Sequence, residues 1–208
     1  NVWPRPYQSP HPPIWMTVMS PGSAAEAGSR GYSIASLNTG YLRTPEIFEG
    51  YRKAATDAGR EAPTERFGYL AIVGVGDTDE EGKRRADQIL DYSRTTPRAA
   101  SQFWFPPGYT SNEITAQMLH NRGPNMIPLR NGGQFEMQFG TVDEFIDAGV
   151  AFAGTPDTVF EQIKEFHQHV GGLGQLLMMG QGGHISHDDT VSNLRLFSKE
   201  VLPRLSDL

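Results

Sequence analysis

The chain has 208 residues, no cysteine and a formal net charge of −6, a length that suits one domain. With 38 % apolar and 20 % charged residues it can bury a core and is not a charge-rich disordered tail; missing cysteine excludes disulfides, thiolate nucleophiles and Cys-ligated zinc. The acidic balance argues against nucleic acid, whose phosphates need a basic face, and apolar runs far short of the roughly 20 residues a bilayer span needs argue against a membrane, which leaves the cytoplasm as the expected location.

The chain opens on Asn1, without the basic and then apolar segments of a signal peptide, and reads as the middle of something longer, a fragment or processed piece. Val2–Pro13 holds five prolines and is an extended lead-in. Ile14–Met19 is a continuous apolar run, the pattern of a strand buried on both faces. Ser20-Pro21-Gly22-Ser23 breaks it, and Ala24–Arg30 is helix-prone, closed by Gly31. Tyr32–Leu37 is a second strand. Thr44-Pro45-Glu46 has the cap, proline and acid order of a helix start, and Gly59 ends that run. Phe67–Val75 is a third strand. Thr78 with Glu81 forms a capping box before the helical face of Ala86, Ile89, Leu90 and Ser93.

Residues 97–140 differ. They hold five prolines, several glycines and the aromatics Phe103, Trp104, Phe105 and Tyr109, with one short helix expected at about Ser111–Asn121. So long a stretch without strong periodicity reads as an excursion from the fold, a lid or contact surface. Thr141 with Glu144 opens another helix, and Ala151–Gly154 is a short extended piece. Thr155-Pro156-Asp157 starts a helix with Val159, Phe160, Ile163 and Phe166 on one stripe. Gln175–Met179 is a fourth buried strand, Gly180–Asp188 a glycine- and histidine-rich loop, and Asp189–Leu202 a last helix with Val191, Leu194, Phe197 and Val201 inward. Buried strands alternating with amphipathic helices give an α/β class with a parallel sheet. Four strands are half of a (β/α)₈ barrel; an open doubly wound sheet fits the same pattern.

Three constellations carry chemistry. Ser20–Ser23 lies past the end of the first strand and opens a helix, so hydroxyls, backbone N–H groups and the dipole converge as at an anion site; plain helix capping accounts for the same residues. Gly74-Val75-Gly76 lacks the third glycine of a dinucleotide fingerprint, Asp79 standing there, and reads as a tight strand-to-helix turn. His184, His187 and Asp188 have ligand chemistry but sit on a flexible frame, where acids also serve the next helix; no metal is expected. His167 and His169 sit at a helix end, a structural position.

Pro6–Trp15 followed by Ser20-Pro21 resembles the fifth-strand region of bacterial luciferase-like flavin monooxygenases. Val75–Glu81 fits that family's seventh strand and next helix; Gly154–Val159, Gln175–Met179, Gly182-Gly183 and Ser192–Pro203 look like its closing segment. The resemblance implies strands five to eight of a (β/α)₈ TIM-type barrel, as one domain over residues 1–208 with residues 97–140 as its insertion. It implies reduced FMN, or a deazaflavin in some branches, with O₂ and a small organic substrate, and a flavin reductase as partner. Met19 and Ser20 match the place where the family meets the flavin phosphate, with Gly22 and Ser23 as companions; no catalytic residue is assigned. The chain is expected to form homo-oligomers or to pair with a missing N-terminal half. The alternative is a non-catalytic flavin-binding or interaction module derived from half of the barrel.

Overall fold

The computed structural model describes residues 3–9, 11–95, 111–113, 116, 120, 125–206 and 208. Five strands form one parallel sheet. β1 (Trp15–Val18) pairs with β2 (Ser33–Leu37), and β2 pairs with β3 (Phe67–Val75). β3 also pairs with β6 (Ala151–Gly154) and with β7 (Gln175–Met179). Gly68–Leu70 meet β2 and β7 at once, so these strands flank opposite edges of β3. Ile72 meets both Ala151 and Met179, so β6 lies opposite β7 and continues the edge that β2 occupies lower down. The short piece at Ala151–Gly154 is thus a strand of the sheet. The α/β class and parallel order expected from the sequence are what the structure shows.

The helices are α1 (Pro21–Arg30), α2 (Gly40–Asp57), α3 (Asp79–Thr95), α4 (Val142–Asp147), α5 (Pro156–His169), α6 (His187–Leu196) and α7 (Leu202–Leu205). A π-helical turn at Phe197–Val201 joins the last two. It buries Phe197 and Val201 together, while Leu194 is exposed and Asn193 is buried in its stead. The inward stripe expected on this helix is corrected accordingly.

The largest core lies between one face of the sheet and α1, α2 and α5. Val18, Ile34, Phe67, Tyr69, Phe152 and Phe166 are all buried there. The Tyr69 ring stacks on Phe166 at 4.4 Å, and its hydroxyl donates to Gly149 O (2.8 Å) and accepts from Gly40 N (3.1 Å). That pair of bonds lets a phenol be fully buried, as desolvation raises its pKa. A second core joins α3 and α4 to Ile72, Ala151 and Ala153. Ile127 of β4 (Met126–Pro128) and Phe135 of β5 (Gln134–Glu136), an antiparallel hairpin, pack into it. The region expected to be irregular up to Gly140 therefore ends in an ordered hairpin. The expected helix near Ser111–Asn121 and the Phe103–Phe105 run lie largely or wholly outside the described residues.

Two strand expectations are corrected. Trp15 is 46 % exposed and Leu177 38 % exposed, so β1 and β7 are not buried on both faces. Both side chains meet over Gly68 of β3, on the face away from the main core. Further along that face, from Ile72 onward, α3 covers the sheet. The expected helix start at Thr44 is corrected too. α2 begins at Gly40, and Thr44 lies inside it, donating to Gly40 O at 2.6 Å. Pro45 then leaves Tyr41 O without its intrahelical donor, and His169 Nε2 bonds that carbonyl at 2.9 Å.

Candidate functional site

Because the strands are parallel, their carboxyl ends and the loops that follow share one rim. In α/β sheets that rim is where ligands sit. It is formed here by Met19–Ser23, Asn38–Gly40, Gly76–Thr78 and Gly180–Gly183.

Ser20 has extended backbone (φ −148°, ψ 155°) and caps α1. Its Oγ accepts from Ser23 N at 3.3 Å, Ser23 Oγ accepts from Ser20 N at 3.3 Å, and the two hydroxyls lie 3.1 Å apart. All four residues singled out here, Met19, Ser20, Gly22 and Ser23, are thus brought together at the rim. Met19 is 60 % exposed, and the space beside Gly22 is open. Pro21 has no N–H, so Gly22 and Ser23 are the first-turn donors. No acid stands in the first turn of α1, nor in those of α2 and α7, whereas α3, α4, α5 and α6 all carry one or more. An anion at α1 meets the positive end of the dipole without carboxylate repulsion.

α2 packs on the start of α1 at Gly50, where a Cβ would meet Pro21, and its first turn is held over the sheet, Gly40 N donating to the Tyr69 hydroxyl (3.1 Å) and Tyr41 N to Ala148 O (2.9 Å). Arg43 and Glu46 stand seven and four residues before Gly50, on the same helical stripe, and both are exposed.

The glycines after β3 have a packing role. A Cβ on Gly74 would lie 2.3 Å from Gly82 O, one on Gly76 2.5 Å from Gly82 N, and one on Gly82 2.3 Å from Gly154 O. The backbone of α3 rests directly on β3 and β6, a contact only glycine permits. Asp79, in the place of a third glycine, accepts from Thr155 N at 2.8 Å. That bond, with Thr158, holds its carboxyl below the usual range. The strand-to-helix turn expected from Gly74–Gly76 is what is found.

An ionic cluster locks α3 to α6. Arg85, with its side chain only 4 % exposed, donates to Val75 O (2.6 Å), Glu81 (2.6 Å) and Asp189 (3.1 Å). Arg84 reaches Asp189 at 2.8 Å. Arg84, then Arg85 and Ser186, hold the Asp189 carboxyl down to about 2. His184 lies against Asp91 at 3.1 Å, whose carboxyl is lowered chiefly by that contact. His167 Nδ1 closes the end of α5 on Leu173 at 3.2 Å, and His169 serves Tyr41 O. The two histidines of α5 are structural. An apolar cleft of about 580 Å³ lies at the opposite end of β7, lined by Leu173, Leu176, Phe197, Leu202 and Leu205. It is remote from the rim loops, and the helix-terminus chemistry at the rim is the better guide to the site.

Comparison with known proteins decides the family. The model of the luciferase-like monooxygenases matches residues 1–171. The chain belongs to the luciferase-like monooxygenase family. Within it, the chain is 27 % identical to 3,6-diketocamphane 1,6-monooxygenase of Pseudomonas putida over 208 residues, covering 96 % of this chain and 49 % of that protein. The solved oxygenating constituent of 3,6-diketocamphane monooxygenase, a type II Baeyer–Villiger monooxygenase from the CAM plasmid of P. putida in complex with FMN, is similar at TM-score 0.65 and 26 % identity. That match covers 95 % of this chain and 50 % of the other. The monooxygenase RslO1 of Streptomyces bottropensis shares the fold at TM-score 0.66 and 18 % identity, covering 98 % and 51 %. The chain spans about half the length of the luciferase-like relatives it matches.

Some rim residues escaped the sequence reading. Asn193 and Arg85 are polar groups that bond Val73, Val75 and Asp189 from a distance in sequence or in the fold. The available signal was a polar residue on an otherwise apolar helix stripe, Asn193 one turn before Phe197.

Proposed function

We propose that this chain supplies the carboxyl-terminal half of a flavin-dependent monooxygenase barrel and grips the phosphate of FMN at the start of α1. The observation that carries the reading is the open, acid-free helix start at Ser20–Ser23, set at the rim of a parallel sheet. The FMN complex of a relative 26 % identical supports it. Ser20 and Ser23 hydroxyls and the N–H of Gly22 would hold the phosphate, with Met19 beside it. Bound reduced flavin supplies the O₂ chemistry, on a small organic substrate. The protein's share is to bind, orient and exclude water. The relatives' activity favours an enzyme over a non-catalytic module. A deazaflavin is the competing cofactor, a flavin reductase the partner, and the cytoplasm the site of action; among the described residues no helix is long and apolar enough to cross a membrane.

The reading also gives the exposed face of Trp15 and Leu177 a purpose. Below Ile72, where α3 does not cover it, that face would line the inside of a barrel closed by four further strands, with residues 1–208 as one domain and 97–140 as its insertion. A second copy is the other way to cover it.

Two variants test the phosphate grip. Ser20→Ala removes a charge-assisted hydrogen bond and should weaken FMN binding by about 1.5–3 kcal/mol, roughly 10- to 100-fold. Ser20→Asp keeps a good helix cap but puts a carboxylate on the phosphate. It should leave thermal stability unchanged or raised while abolishing FMN binding. Equal FMN affinity in wild type and Ser20→Asp would refute the grip.

A further inference from the structure

We propose that Asn193 is a positioning residue that sets the Gly180–Gly183 loop at the rim. The ladder between β3 and β7 stops at Ile72 opposite Met179. β3 runs on to Val75. The next rung would place residue 181 opposite Gly74, bonding Val73 O and Val75 N. Asn193, fully buried on α6, takes that rung: its Nδ2 donates to Val73 O at 2.9 Å and its Oδ1 accepts from Val75 N at 2.7 Å. The second Nδ2 hydrogen goes to Gly180 O at 3.0 Å. One amide therefore imitates a strand residue and holds the first carbonyl beyond the departing strand.

The chemistry demands this side chain. The site needs two donors and one acceptor on a short stem, which a primary amide supplies. Aspartate has no donor, serine has one, and leucine of similar volume has none. Since both strand groups are buried, leaving them unpaired is costly. With Asn193 in residue 181's place, Gln181–Gly183 leave the sheet and turn over the rim. The far end of the loop is held by α3, where His184 N donates to Gln88 O at 3.0 Å. The Gly183 backbone lies so close to Gln88 O that a Cβ there would sit 2.0 Å away. Asn193 at the start and α3 at the end hold the loop in one position, packed on Gln88 and Ile89. The loop's bearing on a bound flavin rests on the function proposed above; the anchoring does not.

The test is hydrogen exchange on the full chain without ligand, for wild type and Asn193→Leu, which removes the acceptor of Val75 N together with both donors, with Asn193→Ala as the second variant should the first not fold. Val75 and His184 amides should exchange about tenfold faster or more, while amides of β1 and β2 keep their wild-type rates. A uniform acceleration across all strands, tracking a lower melting temperature, would show a merely structural role and overturn the assignment; so would unchanged exchange at Val75 and His184. A parallel FMN titration separates the two ideas. Loss of wild-type FMN binding with local exchange as predicted sinks the flavin reading alone. Wild-type FMN affinity in a variant whose loop has loosened overturns the link between Asn193 and the site.

Discussion

Pro45 and His169 show how one residue's deficit becomes another's role. Proline cannot donate to Tyr41 O, and a histidine 124 positions on does so at 2.9 Å. His169→Leu should cost about 1–2 kcal/mol, the penalty of an unpaired buried carbonyl. In a Pro45→Ala background the restored N–H should absorb most of that loss. Thermal melts of the four proteins in the cycle give the coupling; equal costs in both backgrounds would contradict it. Asp189 makes a pH-dependent contribution of known sign. Its carboxyl is held at about 2 by Arg84 and Arg85, below the roughly 3.9 of an unfolded aspartate. Its stabilisation is therefore complete above about pH 4 and is lost as pH falls toward 2. Asp189→Asn should cost about 1–3 kcal/mol at pH 7, and most of that difference should be gone by about pH 2. Urea midpoints from pH 5 to 2 would show the two curves converging; parallel curves would deny Asp189 that role.

At the scale of elements, α3 is placed by glycine. Gly82→Ala forces a methyl to 2.3 Å from a strand carbonyl and should cost about 3 kcal/mol or more. Gly22→Ala, in open space at the start of α1, should be neutral or stabilising by up to about 1 kcal/mol. Denaturant unfolding of both variants checks the contrast. These positions also show what the sequence could convey. The capping boxes at Thr141 and the proline start at Thr155 are local, and the helices begin where they point. The rim position of Ser20–Ser23 followed from the same kind of signal. Thr44 misled because a buried Thr–Pro inside a helix carries the same letters as a helix start, and only the distant His169 distinguishes them. Arg85 and Asn193 were illegible for the same reason: their partners lie 104 and 118 residues away. The exposure of β1 and β7 depends on what covers the sheet, which no local pattern reports.

For the whole molecule, the open sheet face is the main physical fact. Trp15 and Leu177 are half-exposed over Gly68, and among the described residues β1 and β7 each pair along one edge only. Such edges and faces recruit other strands. The chain by itself should self-associate as its concentration rises, and Trp15→Glu with Leu177→Lys should reduce that. Sedimentation velocity at rising concentration decides it, a monomer throughout being the contrary result. The grip of the rim on a flavin phosphate has a more direct measurement. FMN and riboflavin, which differ only in the phosphate, are titrated into the purified chain and followed by flavin absorbance. FMN should bind saturably and at least tenfold tighter than riboflavin, about the worth of one charge-assisted hydrogen bond. Equal affinities, or no FMN binding by the folded chain, would contradict it.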